Sequence, residues 1–152
     1  MTPLSVLMLR LLERIHGHIG WLSVAALLHP AIILRNSKRR ARLAVSLATL
    51  FVAATALLGG YIYPSYRERL KQHLFIETPK VGWLFERKEH LAVGAVALAL
   101  VGCIAHLSVP SVADDAVKLT LARLAQRAFA GAVGLALLVA ILGVVVASYK
   151  SF

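Results

Sequence analysis

Arg14-Ile-His-Gly-His-Ile-Gly-Trp-Leu-Ser-Val-Ala-Ala-Leu-Leu-His-Pro30 is the stretch on which the reading of this chain turns. It is long and apolar enough for a membrane helix. Two histidines, His16 and His18, stand near its start and a third, His29, near its end. Between them lie small residues: Gly17, Gly20, Ser23, Ala25 and Ala26. Ionisable groups inside a bilayer are costly and usually mark function. What the histidines hold is therefore the question the sequence poses.

Working outward, the chain has 152 residues, 59% apolar and 16% charged, with a mean hydropathy of +0.77. Four apolar runs appear, at 15–34, 43–63, 91–109 and 128–148, and none holds Lys, Arg, Asp or Glu. Each run is about 20 residues, enough for a hydrocarbon core of about 30 Å. The pattern predicts an all-α fold: one membrane domain over 1–152, built as a four-helix up-down bundle. The connections 64–90 and 110–127 are too short for cores of their own. The net charge is +10. In a soluble domain that would point to nucleic acid. Here basic residues flank apolar spans and meet lipid headgroups, so no nucleic-acid partner is expected. Cys103 is the single cysteine and rules out a disulfide within the chain. Met1–Leu9 carries no basic segment of the signal-peptide type, so the first span is expected to stay as an anchor.

The segment Arg35-Asn-Ser-Lys-Arg-Arg-Ala-Arg42 holds five basic residues in eight and no acid. A short, densely basic loop marks the cytoplasmic side. Both termini are then outside the cytoplasm, and a bacterial inner membrane is the expected location. At the N-terminus Thr2 can cap a helix and Pro3 suits its first turn. The second span has no histidine, and its Ala, Ser, Thr and Gly residues permit either close helix packing or a flat cofactor. In the loop 64–90, Ser65 and Glu68 have capping-box spacing. Tyr66, Leu70 and Leu74 recur every four residues, with Arg67, Arg69 and Lys71 elsewhere around the helix. This predicts a short interfacial amphipathic helix between spans 2 and 3. Thr78-Pro79 restarts a helix that runs through Trp83, Phe85 and His90 into the third span. Pro110 ends that span, and Asp114-Asp115 supplies first-turn charges for a helix carrying Lys118, Arg123 and Arg127. Gly131, Gly134 and Gly143 suggest close packing of the fourth span.

The aromatics are one-sided. Trp21, Tyr61, Tyr63, Tyr66, Phe75, Trp83, Phe85, Tyr149 and Phe152 fall on the side assigned outside; Phe51 and Phe129 do not. A docking surface or a quinone pocket would explain this, and so would a plain anchoring belt.

In an up-down bundle the first and third spans run parallel. His29 and His106 then share a depth near the inner side, and His16 or His18 shares one with His90 near the outer side. Two histidines at one level on different helices can supply both axial ligands of a haem iron in a low-dielectric shell. Two such pairs would stack haems roughly 20 Å apart. In this the chain resembles four-helix b-type cytochrome subunits, which carry paired histidines on two helices with glycines beside the porphyrin. The matching residues are His16 or His18 with Gly17 and Gly20, His29, His90, and His106 with Gly102. The resemblance implies haem b, one or two, and electron transfer between quinone and a partner redox subunit docked at 64–90. Arg10, Arg14, Arg123 and Arg127 would then face haem propionates. At about 100° per residue, His18 and His29 lie on one face of their helix. His90 and His106 lie on nearly opposite faces, which favours the inner pair, His29 with His106.

Other readings stand beside this one. Histidines at span ends also hydrogen-bond carbonyls or lie among headgroups. Cys103 and His106, at i and i+3, are a two-ligand set of the kind copper takes. A non-catalytic subunit that anchors or stabilises a larger membrane complex fits the basic, aromatic outer side. A transporter lacks an inverted repeat or broken helix in its support. There is no Ser/His/Asp set, phosphate loop or paired intramembrane carboxylate for a hydrolase or ion pump. The topology predicts that, in a Cys103→Ala background, a cysteine at Ser37 is shielded from an impermeant reagent added outside. A cysteine at Gln72 should label; labelling of position 37 from outside reverses the orientation.

Overall fold

The computed structural model describes residues 3–36 and 41–149. Thr2, the centre of the basic loop (37–40) and Phe152 lie outside the described residues. The rest is helical: α1 (Pro3–Ile33), α2 (Arg42–Tyr66), α3 (Gln72–Glu77), α4 (Pro79–Ser108) and α5 (Asp115–Ser148). A π-helical turn, Arg67–Lys71, joins α2 to α3, and a 3-10 turn, Val109–Ser111, follows α4. The described residues form no strand.

Three helices are long and apolar enough to cross a membrane: α2, α4 with its following turn, and α5. Helix α1 is not among them, because His16, His18, His29 and Pro30 dilute its apolar run. Only 17%, 28% and 17% of the apolar windows of α2, α4 and α5 are buried inside the chain. Leu50, Leu57, Val93, Ile104 and Val144 are all exposed. An apolar surface of this extent needs an apolar surrounding.

Several helix ends follow from single residues. Asp114 caps α5 by accepting from the backbone N–H groups of Ala116 (2.7 Å) and Val117 (3.3 Å). Pro79 opens α4, which runs unbroken past Trp83, Phe85 and His90, as the sequence predicts. Thr78 makes no capping bond to α4; its hydroxyl reaches back to the Leu74 carbonyl at 3.4 Å. The expected helix start at Ser65 is replaced. Helix α2 continues through Pro64 and Ser65, and the N–H of Arg67 points at the carbonyls of both Pro64 and Tyr63. Proline inside a helix lacks its N–H and crowds the preceding turn. The widened π turn begins just beyond it.

Helix α1 packs on α2 and α5, and α4 packs on α5 and α2. Ser23 and Thr55 hydroxyls meet at 2.8 Å between α1 and α2. The Gln126 amide donates to the Ala31 carbonyl at 3.5 Å, between α5 and α1. That carbonyl lies in the last turn of α1, where intrahelical donors run out. The main core contains Leu27, Val45, Ala48, Val52, Ala99, Ala105, Ala125, Phe129 and Ala132. Alanines let the backbones approach, and Phe129, fully buried, fills what they leave. A Cβ on Gly102 would lie 2.9 Å from the Phe129 ring and 3.3 Å from the Ala125 carbonyl. Phe129→Ala therefore opens a cavity and should cost about 3 kcal/mol. Gly102→Val should destabilise by forcing α4 and α5 apart. Unfolding of the purified protein in mixed micelles checks both, and unchanged stability of either variant contradicts this packing.

Candidate functional site

The structure brings the chemistry-bearing side chains together at one end, where α2 turns through the π turn and α3 onto the start of α4. Lys71, the last residue of the π turn, has its ammonium 2.6 Å from Glu86 Oε1 and 3.3 Å from Glu89 Oε2. It also donates to the Tyr63 hydroxyl at 3.4 Å, and Tyr63 donates to Glu89 Oε2 at 3.5 Å. These side chains are largely covered: Lys71 is 16% exposed, Glu86 29% and Glu89 24%. The hydrogen bond to Glu86 holds the Lys71 ammonium well above the usual lysine range, against a downward pull from burial. The carboxylates stand at i and i+3 on α4, so both face the turn.

An apolar layer lies beneath. Leu74, Val81, Phe85 and Val146 form a second core, with Tyr63, Tyr66 and Leu84 against it. Tyr66 and Phe85 stack at 6.1 Å, and Phe75 meets Trp83 edge-on at 5.7 Å. Phe75 lies over Gly82, where a Cβ would come within 3.0 Å of its ring. The Lys88 ammonium sits 4.9 Å from the centre of the Phe85 ring, and a Cβ on Gly143 of α5 would lie 4.0 Å from its stem. Two clefts open here. One, about 510 Å³, is lined by Arg67, Lys71, Gln72, Phe75, Ile76 and Glu86. The other, about 380 Å³, is lined by Tyr63, Pro64, Arg67, Glu68 and Gln72.

The histidines are distributed differently from the expected pairs. His29 and His106 lie toward the same end, opposite Lys71, but His29 is exposed on α1 while His106 is buried on α4. No described contact joins them. His106 Nε2 accepts the backbone N–H of Ala41 at 3.4 Å, just before α2 begins. It thus serves a donor at the helix start that has no intrahelical acceptor. His18 donates through Nδ1 to the Arg14 carbonyl at 2.6 Å, and His90 through Nδ1 to the Glu86 carbonyl at 2.8 Å. Both rings are exposed, on helices that pack mainly on α2 and α5 rather than on each other. His16 is half-buried and lies against Gly59 of α2, where a Cβ would come within 2.9 Å of its ring. Arg14, Arg123 and Arg127 are exposed. Cys103 is half-buried against the main core. Among the described residues no three His, Cys, Asp or Glu side chains are grouped to hold a metal ion.

Sequence reasoning placed Lys71 on a short interfacial amphipathic helix, gave Glu86 and Glu89 no role, and missed their convergence. Their signal was the i, i+3 spacing of the two glutamates, next to an aromatic at Phe85. Periodicity could not reveal that Lys71 would meet them. Comparisons with protein-family models, with curated proteins and with solved structures gave no match.

Because the Lys71 value is raised, its contribution is fully present below the ordinary lysine value and is lost only as pH rises through the raised one. In a Trp21→Phe background, Trp83 emission reports closure of α3 through Phe75. It should stay flat up to about pH 10 and change only above. Lys71→Met, which leaves Glu86 and Glu89 without their cation, should shift that emission already at neutral pH.

Proposed function

We propose that this chain is a non-catalytic integral membrane subunit. Its four long helices form an up-down bundle in the bilayer, and its charged, aromatic end stabilises a neighbouring component of a larger membrane assembly. The observation that carries this is where space and polarity are placed. Between the helices, Phe129, Leu27, Val45 and the alanines are packed to complete or near-complete burial. The ion pairs between different helical segments, with the two clefts, lie instead at the end bearing Lys71, Glu86 and Glu89. Helix α1 serves as the fourth span. Two of its histidines have a place in the fold: His16 packs on Gly59 and His18 satisfies a carbonyl of its own helix.

A second reading, a b-type haem subunit exchanging electrons with quinone, draws on one specific observation. His18 and His90 each spend Nδ1–H on a carbonyl, which leaves Nε2 as the lone-pair nitrogen, the arrangement an iron ligand needs. Both rings face outward, so a haem held by them is completed by a partner chain, with Arg14 near enough in sequence to serve a propionate.

An absorption spectrum of protein purified in mild detergent separates the readings. The subunit reading expects a colourless preparation that migrates in an assembly larger than one chain. A reduced-minus-oxidised haem band that vanishes in His18→Ala or His90→Ala overturns it in favour of the second.

A further inference from the structure

We propose that the cleft at the end of α2 binds the zwitterionic headgroup of a phosphoethanolamine lipid, its phosphate on Arg67 and its ammonium on Glu68. The inference rests on the membrane-embedded reading above.

Arg67 lines both clefts, as does Gln72, while Glu68 lines the smaller one together with Tyr63 and Pro64. Both charged side chains are exposed, and neither makes an ion pair among the described residues. Lys71, which lines the larger cleft, is already held by Glu86 and Glu89. Among the described residues this leaves Arg67, which reaches Glu86 only through its field, beside Glu68, which has no ion pair: two neighbouring charges of opposite sign. An anionic headgroup would satisfy Arg67 and be repelled by Glu68. A phosphate followed two carbons later by a primary ammonium satisfies both, with the Gln72 amide as a further donor. A choline headgroup has the same charges but no N–H to give Glu68.

Depth supplies the second argument. The cleft lies where α2 leaves its apolar run, and Tyr63, a side chain of the kind that settles at headgroup level, lines it. Ile76, 81% exposed, and Phe75 wall the adjoining cleft and offer an acyl chain its first contacts. A soluble phosphoethanolamine would gain nothing from that wall, which commits the site to a lipid.

The test uses the full chain in nanodiscs that mix phosphatidylethanolamine, phosphatidylcholine and phosphatidylglycerol, with bound lipid read by native mass spectrometry after release. Phosphatidylethanolamine should be retained over phosphatidylcholine by about tenfold, the worth of one charge-assisted hydrogen bond. Arg67→Gln should lose retention of both zwitterionic lipids. Glu68→Gln should abolish the preference between them, and the control Arg87→Gln, on the exposed side of α4, should change nothing. Equal retention of the three lipids overturns the site, as does a preference for phosphatidylglycerol. Displacement of the bound lipid by soluble phosphoethanolamine at equal concentration overturns the lipid assignment. Flotation of the same protein with vesicles distinguishes the two levels. A chain that floats without lipid selectivity refutes only the site, whereas one that does not float refutes the membrane reading as well.

Discussion

Close approach of α4 and α5, at Gly102 and Phe129, is the contact on which the other helices depend. The two helices bring small residues face to face, Ala99, Gly102 and Ala105 on one, Ala125, Ala128 and Ala132 on the other, and one phenylalanine ring closes the gap. In a bilayer, apolar side chains gain little by leaving lipid for one another, so the association must come from packing and from hydrogen bonds between helices. Both are present. The Ser23–Thr55 contact, the Gln126 bond to α1 and the His106 bond to the start of α2 each satisfy a polar group from within the chain. These bonds fix how α1 and α2 sit against the packed pair.

The polar end obeys the opposite rule. There charge is concentrated, yet it is compensated over short distances. Lys71 is surrounded by two carboxylates, the Tyr63 phenol and the Phe85 ring, and so remains charged while largely covered. Held in this way, a segment of six residues, α3, remains in place although it is too short to be stable as an isolated helix.

Much of the fold is legible in the sequence because bilayer dimensions and apolar runs are local properties. The α4 helix through Trp83 and Phe85, the Pro79 start and the Asp114-Asp115 start of α5 all follow from residues close together in the chain. The Ser65 start is misread because capping-box spacing is only a local preference, and here the helix carried on through Pro64 into a wider turn. His29 lies near the end of α1, and His106 meets Ala41 at the start of α2. Which face a histidine presents to its neighbours is harder to read. The 100° rule separates His90 from His106 correctly, one exposed and one buried, but says nothing of the direction in which α1 is rotated. Gly59 beside His16, and Lys71 beside Glu86, are meetings between residues distant in sequence, and no periodicity encodes them.

The π turn has a consequence that concerns counting rather than composition. Five residues from Arg67 to Lys71 advance around the helix axis by several tens of degrees less than the same five in an α-helix. That lag in phase is what aims the Lys71 side chain at α4. A change of chain length by one residue between Pro64 and Gln72 would therefore redirect the cation and uncouple α3 while leaving every side chain of the network intact.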